Sequence, residues 1–415
     1  MAVPAPAAPT RGKRFSLAVL LLCETGAMCV WFASAAAAAL LRTSGAVSPS
    51  GAALLAAAVQ AGFVAGTATS AALSLADRFD PRRLFMASAL LGAAATAALA
   101  ALPPAADPAQ VALRFAAGAC MAGVYPVGMR IAASWARPGP GGDLGRLIGL
   151  LVGALTLGSA APHLLAAVLP DADWRALHLA AAGTAALCGL GIGLARMGPN
   201  AVRAARVDLR RAARAWRDRA LRLANLGYLG HMWELYAMWA WLGAFLASSF
   251  RASGLAHPEA SAALATFAAL AAGAPAAWLG GVLADRVGRT ALTIGAMGAS
   301  AACALATGWL HDAPPALLVA LAMVWGATVI ADSAQFSASV AELSEPDSVG
   351  TLLAAQTCAG FALTLVSIQL VPPVVGALGW PGAFAMLAVG PLLGCVAMAR
   401  LRARPEAARL AGGRR

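Results

Sequence analysis

Gly281-Val282-Leu283-Ala284-Asp285-Arg286-Val287-Gly288-Arg289 lies between two long apolar runs. A variant of it stands in the first half of the chain as Leu73-Ser74-Leu75-Ala76-Asp77-Arg78-Phe79-Asp80-Pro81-Arg82-Arg83. The shared Ala-Asp-Arg recurs 208 residues apart in a chain of 415, so the chain is an internal duplication of two equivalent halves.

The surroundings of both copies are too apolar for water. Charged residues make up 12% of the chain and hydrophobic residues 60%, whereas a soluble domain carries about 25% charged residues. Mean hydropathy is +0.75. The solvent for most of the chain is therefore a lipid bilayer. The net charge of +12 does not point to nucleic acid, because the arginines collect in short segments between apolar runs, as in cytoplasmic membrane loops. Cys23, Cys29, Cys120, Cys188, Cys303, Cys358 and Cys395 all fall inside apolar runs with no CxxC pair. They read as small buried hydrophobes, with no metal site and no disulfide framework. Arg11, Lys13 and Arg14 before an apolar run resemble a signal peptide. The run is too long for one, carries Glu24 and is needed to match the second half, so it reads as a spanning helix.

Spanning helices need about 20 apolar residues, and twelve candidates fit. In the first half they cover roughly 15–41, 50–74, 83–102, 108–135, 143–169 and 176–197. In the second half they cover roughly 223–250, 258–284, 289–310, 314–341, 346–371 and 380–400. The expected architecture is all-α: two pseudo-symmetric six-helix bundles at 1–197 and 223–400, a basic linker at 198–222 and a tail at 401–415. The linker arginines, the 74–83 and 285–289 loops and the tail alternate onto one side, which the positive-inside rule makes cytoplasmic together with both termini. One loop on that side is acidic, through Glu342, Glu345 and Asp347. In the linker, Val202, Ala205, Leu209, Ala213, Trp216 and Ala220 share a stripe that would suit either a surface helix or a plain connector.

Six plus six helices, the basic central loop and the duplicated loop motif together resemble the major facilitator superfamily of secondary transporters. The second motif copy fits the family's Gly-x-Leu-Ala-Asp-Arg-x-Gly-Arg position for position. The first departs from it at Leu73 and at Asp80-Pro81. The resemblance implies a multi-pass inner-membrane protein that moves a solute by alternating access, with helices one, four, seven and ten lining a central cavity. It also implies a gating role for Asp77, Arg78, Arg82, Gly281, Asp285, Arg286, Gly288 and Arg289. By charge chemistry alone, Asp77 or Asp285 sits at a helix end and pairs with arginines, either as a state-dependent latch or as a static loop fixture. Arg114-Phe115-Ala116-Ala117-Gly118 looks like the family's Arg-x-x-x-Gly signature in helix four. Gly145, Gly149, Gly153 and Gly158 in helix five suit close packing, and the Gly-Pro and Gly-Gly pairs of the family's antiporters are missing.

Intramembrane ionisable groups carry the strongest chemical signal, because burying charge in lipid is costly. Glu24, Met28 and Trp31 share a face of helix one. Arg114, Gly118, Met121 and Tyr125 share a face of helix four. His231, Glu234, Met238 and Trp241 do so on helix seven, widened by Trp233, Tyr236 and Trp239. Trp325, Thr328, Asp332, Gln335 and Ser339 do so on helix ten. These stripes are expected to meet in one cavity, with Glu24, Glu234 or Asp332 exchanging protons. The alternative for each carboxylate is a structural polar network. No nucleotide-binding loop and no paired metal ligands occur, so no enzyme and no cofactor is expected. The expected partners are a small-molecule solute, protons and the bilayer, with a monomer as the working unit. Proton-coupled export is the leading reading. Uptake of an organic anion through Arg114, and a non-transporting sensor with the same fold, are the alternatives.

The topology is tested by labelling single cysteines in intact cells in a cysteine-free background. Arg210→Cys should be protected from an impermeant reagent added outside, and labelling there would overturn the orientation.

Overall fold

The computed structural model describes residues 10–43, 47–103, 106–137, 143–168, 173–200, 212–345 and 348–414. The linker positions 201–211, which hold Val202, Ala205 and Leu209 of the amphipathic stripe and Arg210, and Asp347 of the acidic loop lie outside the described residues.

Every described spanning element is an α-helix, as a bilayer requires when no water is present to satisfy backbone groups. The first half holds α1 (Thr10–Thr43), α2 (Pro49–Ala72), α3 (Pro81–Leu99), α4a (Pro108–Met121), α4b (Tyr125–Ser134), α5 (Leu144–Val168) and α6 (Trp174–Gly191). The second holds α7 (Arg219–Ala252), α8 (Pro258–Val287), α9 (Arg289–Trp309), α10a (Pro315–Ala331), α10b (Ser333–Leu343) and a continuous helical stretch, Val349–Arg402, that forms α11 and α12. Among the described residues, ten helices are long and apolar enough to cross a membrane. Counting Val349–Arg402 as two crossings and adding α7, whose polar residues keep it out of that ten, gives twelve. Proline opens α2, α3, α4a, α8 and α10a, where its missing N–H costs nothing.

Two expectations about helix limits are corrected. No loop separates α11 from α12. The chain reverses at Gly379, whose φ of 69° and ψ of −175° only glycine adopts readily. Helices four and ten are not continuous either. Helix four breaks at residues 122–124, where Gly123 and Val124 donate three residues back to Cys120 and Met121, and Tyr125-Pro126 restarts it. Helix ten breaks at Asp332. Val124 and Asp332 are 208 residues apart, so the breaks are repeat-related. Backbone interruptions at membrane depth mark the places where secondary transporters put their sites.

Within each half, close backbone approach holds the bundle together. A Cβ on Gly118 of α4a would overlap the Val59 carbonyl of α2, and a Cβ on Gly326 of α10a would overlap the Ala269 carbonyl of α8. These glycines are again 208 residues apart. The halves meet along α2 against α11 and α5 against α8. On the face that carries the start of α1 and the end of α12 (the terminal face) α5 and α8 are in contact. A Cβ on Gly149 would lie 3.2 Å from the Ala277 carbonyl, and one on Gly153 3.0 Å from the Ala274 carbonyl. On the opposite face a crevice opens between the halves, lined by alanines of α1, α2, α7 and α8 with His163, Trp241 and Glu259.

Gly118→Ala and Gly326→Ala should each destabilise the protein by about 1–3 kcal/mol, the cost of overpacking a fixed contact. Gly295, exposed with open space around it, should tolerate alanine without loss, since a helix gains from the change. Thermal melting in detergent checks this, and equal melting of all three variants would contradict the close-approach assignment.

Candidate functional site

The expected cavity stripes separate into three places. The first is an aromatic seam between the halves. Trp31 and Phe32 of α1 and Phe63 of α2 meet Tyr236 and Trp239 of α7 and Phe361 of α11. Ring centroids lie 4.4 Å apart for Phe63–Phe361, 5.6 Å for Phe32–Trp239 and 5.9 Å for Trp31–Tyr236. A ring pair contributes about 0.5–1.5 kcal/mol, so the five pairs that cross between halves supply on the order of 3–7 kcal/mol. Trp241 borders the crevice and donates its indole N–H to the Ile368 carbonyl of α11 at 3.1 Å.

Arg114 braces this seam from behind. Its guanidinium is buried and donates to the Val30 and Trp31 carbonyls of α1, at 3.0 and 2.6 Å. It thereby fixes the turn that carries the Trp31 ring, and it makes no ion pair among the described residues. Glu24 lies two turns earlier on α1. It is fully buried, and neither carboxylate oxygen has a hydrogen-bond partner. Its Oε2 rests against α4b, where a Cβ on Gly128 would come within 2.6 Å. Half-buried Tyr125, at the restart of helix four, is within electrostatic reach. Met28 instead packs inside its own half, against Gly158 of α5.

The second place is the interior of the second bundle. Glu234 accepts from the Trp325 indole N–H at 2.7 Å and from the Ser300 hydroxyl at 2.8 Å. His231 Nδ1 lies 3.0 Å from Asp332 Oδ1, and both side chains are 1% exposed. Phe336 and Tyr228 flank the imidazole, and Met238 is buried on the same helix. Glu24 and Glu234 therefore do not share a cavity. The reason is rotational: the α7 rings that reach the first half, Tyr236 and Trp239, stand about 200° and 140° around the helix from Glu234 at about 100° per residue. Ser300 and Trp325 take up the carboxylate on the other side.

The third place is the loop motif on the terminal face. Arg289 forms a two-pronged pair with Glu342 at the end of α10b, Nε to Oε2 at 2.8 Å and Nη2 to Oε1 at 2.5 Å. Its Nη1 donates to Gln335 at 2.7 Å, which draws Gln335 out of the expected cavity. Asp285 is 50% exposed and only 3.8 Å from Arg289. Arg286 is exposed, Gly281 faces the Gly145 carbonyl of α5, and Gly288 ends α8 with a φ of 98°. Among the described residues, and apart from the Gly281 contact, the partners of this copy lie in its own half, so its charges brace the second bundle.

In the first copy the side chain of Asp77 lies outside the described residues, and Arg78 is exposed. The departures at Asp80-Pro81 have a local purpose. Asp80 caps α3 by accepting from the Arg82 N–H at 2.9 Å and pairs with the Arg82 side chain at 2.7 Å. That hydrogen bond, first among the causes, holds the Asp80 carboxyl below its usual range. Arg82 also reaches the Ala195 carbonyl beyond α6.

Comparison with known proteins agrees with this architecture. The family model of the Major Facilitator Superfamily matches residues 20–364. The chain belongs to the major facilitator superfamily. It is therefore a multi-pass membrane transporter and not an enzyme. No curated protein sequence matches the chain. Among solved structures it is similar to a D-xylose-proton symporter, with TM-score 0.72, 16% identity and coverage of 95% of this chain and 99% of that one. It is similar to the xylose transporter XylE from E. coli in a partially occluded inward-open conformation, with TM-score 0.68, 12% identity and coverage of 93% and 99%. It is also similar to the nucleoside transporter NupG, with TM-score 0.67, 13% identity and coverage of 94% and 99%. At these identities the likeness is one of fold.

Sequence reading passed over Phe32, Phe63, Phe361 and Ser300. Phe63 is the sole aromatic residue of α2 and Phe361 the sole one between Val349 and Gly379, and that isolation was the available signal. Because Glu342 and not Asp285 closes on Arg289, Glu342→Gln should lower stability by about 1–3 kcal/mol, the range for a charge-assisted hydrogen bond. Asp285→Asn should cost less than about 1 kcal/mol, as for an exposed pair. Melting of the two purified variants checks the order, and a larger loss for Asp285→Asn would reverse it.

Proposed function

We propose that this transporter exports a small organic solute across the inner membrane in exchange for protons, as a monomer with both termini in the cytoplasm. The observation that carries the reading is Glu24: a buried carboxylate whose oxygens accept no hydrogen bond, at the level of the break in helix four. A carboxylate in lipid must be neutralised or paired. Glu234 has two donors, and Asp332, whose oxygens accept no hydrogen bond either, stands 3.0 Å from the His231 imidazole, whereas Glu24 has neither a donor nor an ion-pair partner among the described residues and is left to a proton or to a cationic group of the solute. The two ligands compete for one carboxylate, and mutual exclusion yields exchange, so protons entering drive solute out. The aromatic seam supports a solute with an apolar or ring-bearing body, neutral or cationic. Arg114, occupied by two carbonyls of α1, gives no support to anion uptake. The arginine-rich loops on the terminal face support the orientation.

Proteoliposomes with an imposed pH gradient, screened against organic cations and neutral aromatic solutes, test the reading. Glu24→Gln should abolish gradient-driven accumulation and retain solute–solute exchange, because exchange needs the path but no net proton movement. Glu234→Gln should keep the pH coupling. Concentrative, pH-dependent transport by Glu24→Gln would refute the assignment.

A further inference from the structure

Two tryptophans of the seam are repeat partners. Trp31 of α1 and Trp239 of α7 stand 208 residues apart, the offset of the duplication. Both indoles lie against the Tyr236 ring, with centroids 5.9 and 5.4 Å from it. Each is at most 2% exposed, and neither indole N–H has a hydrogen-bond partner among the described residues. Outside the seam, Trp135, Trp233, Trp241 and Trp325 each donate to an oxygen, at 2.8, 3.0, 3.1 and 2.7 Å. A buried donor left unpaired is costly, and its survival in a native fold calls for a reason. The Gln60 carbonyl Oε1 is a third such atom, buried and without a partner. Gln60 lies three residues before Phe63 on α2, on the same face of the helix.

All three residues lie directly beneath the crevice. Ala35, Ala56 and Gly243 line it. They stand four residues from Trp31, Gln60 and Trp239 respectively, about one helical turn along the same side of each helix. Helices α1 and α7 run toward the crevice and α2 runs away from it, so in each case the seam residue is the deeper one. A solute that enters the crevice meets these three groups next.

Their chemistry describes what they bind. An indole N–H only donates, and an amide oxygen only accepts. Each half therefore offers one donor, with one acceptor beside them on the first half, among aromatic faces. The complement is a planar ring that carries carbonyl oxygens or ring nitrogens as acceptors and one N–H or O–H as donor. An aliphatic ammonium gives the indoles nothing to donate to.

We infer, on the reading that a ring-bearing solute crosses this seam, that Trp31 and Trp239 are its recognising donors, one from each half, that Gln60 is its acceptor, and that the solute is a planar heterocycle bearing carbonyl oxygens or ring nitrogens. Glu24 holds the proton and these three groups choose the solute.

Ligand-observed NMR of the full chain in lipid nanodiscs tests this with two ring probes, at one pH, without a gradient and corrected for empty nanodiscs. N-methyl-2-pyridone carries a carbonyl acceptor and no polar donor. Aniline carries N–H donors and only a weak acceptor. The parent should bind the pyridone more tightly, because its carbonyl meets two donors where aniline meets one acceptor. Trp31→Phe and Trp239→Phe keep a ring and remove the N–H. Each should weaken the pyridone about 3- to 10-fold relative to aniline, the worth of one hydrogen bond. Gln60→Met roughly keeps the side-chain volume and should weaken aniline relative to the pyridone. A parent that prefers aniline, or binds neither probe, overturns the inference whether or not the variants fold. Folded tryptophan variants with an unchanged affinity ratio also overturn it. A change in only one of them overturns the paired donors, and an unchanged ratio in Gln60→Met overturns the acceptor. Failure of coupling at Glu24 shows in the gradient-driven assay and not in this one, so the two assignments fail separately.

Discussion

A charge inside a hydrocarbon layer must be paired, solvated or neutral, and the arrangement of this transporter follows from how each buried charge meets that demand. Arg114 meets it with backbone carbonyls of α1 and in doing so fixes the Trp31 turn. Glu234 meets it with an indole and a hydroxyl, which ties α7 to α9 and α10 inside one bundle, and Asp332 stands 3.0 Å from the His231 imidazole without accepting a hydrogen bond. Glu24 has no such partner. Arg114 and Glu234 are spent on holding a rigid half together, Asp332 faces the His231 imidazole, and Glu24, with no partner among the described residues, is free to change its occupant.

Rigid halves are what alternating access needs, and the backbone supplies the rest of the rigidity. Glycines at 118 and 326 let α4a approach α2 and α10a approach α8 so closely that a Cβ there would overlap a backbone carbonyl, which holds each pair in register. Between the halves the contacts are of another kind: rings against rings in the seam, and small residues against small residues along α5 and α8. The indole N–H groups of Trp31 and Trp239 in the seam have no hydrogen bond to lose when the rings part, and the energy of the seam is a few pair interactions. The strong, directional bonds are kept within a half and the weak ones are placed where the motion is.

The sequence made the bundle architecture legible because duplication and apolar run length are one-dimensional signals. Twelve crossings, the repeat offset and the joints at Pro258 and Pro315 could be read directly. The breaks in helices four and ten could not, since a run stays apolar through a broken helix, and only Tyr125-Pro126 hinted at one of them. The site was partly legible. Stripe analysis named Glu24, Trp31, Arg114, His231, Glu234 and Asp332, all of which are buried. It assigned them to one cavity because helical periodicity gives the face of each residue relative to its own helix and not relative to the neighbouring one. Glu234 and Gln335 show the error: their partners, Ser300 and Arg289, lie on other helices whose rotation no single stripe reveals. The acidic loop residue Glu342 was noted as an exception to the charge pattern, and pairing with Arg289 is its reason.

Infrared difference spectroscopy of the purified protein in lipid reaches the central claim most directly, because a carboxylic acid and a carboxylate absorb at different frequencies. The account predicts a carboxyl band from a buried site that appears and disappears as pH is changed, is absent in Glu24→Gln and remains in Glu234→Gln. A spectrum that Glu24→Gln leaves unchanged, with the titrating band lost in Glu234→Gln instead, would contradict it.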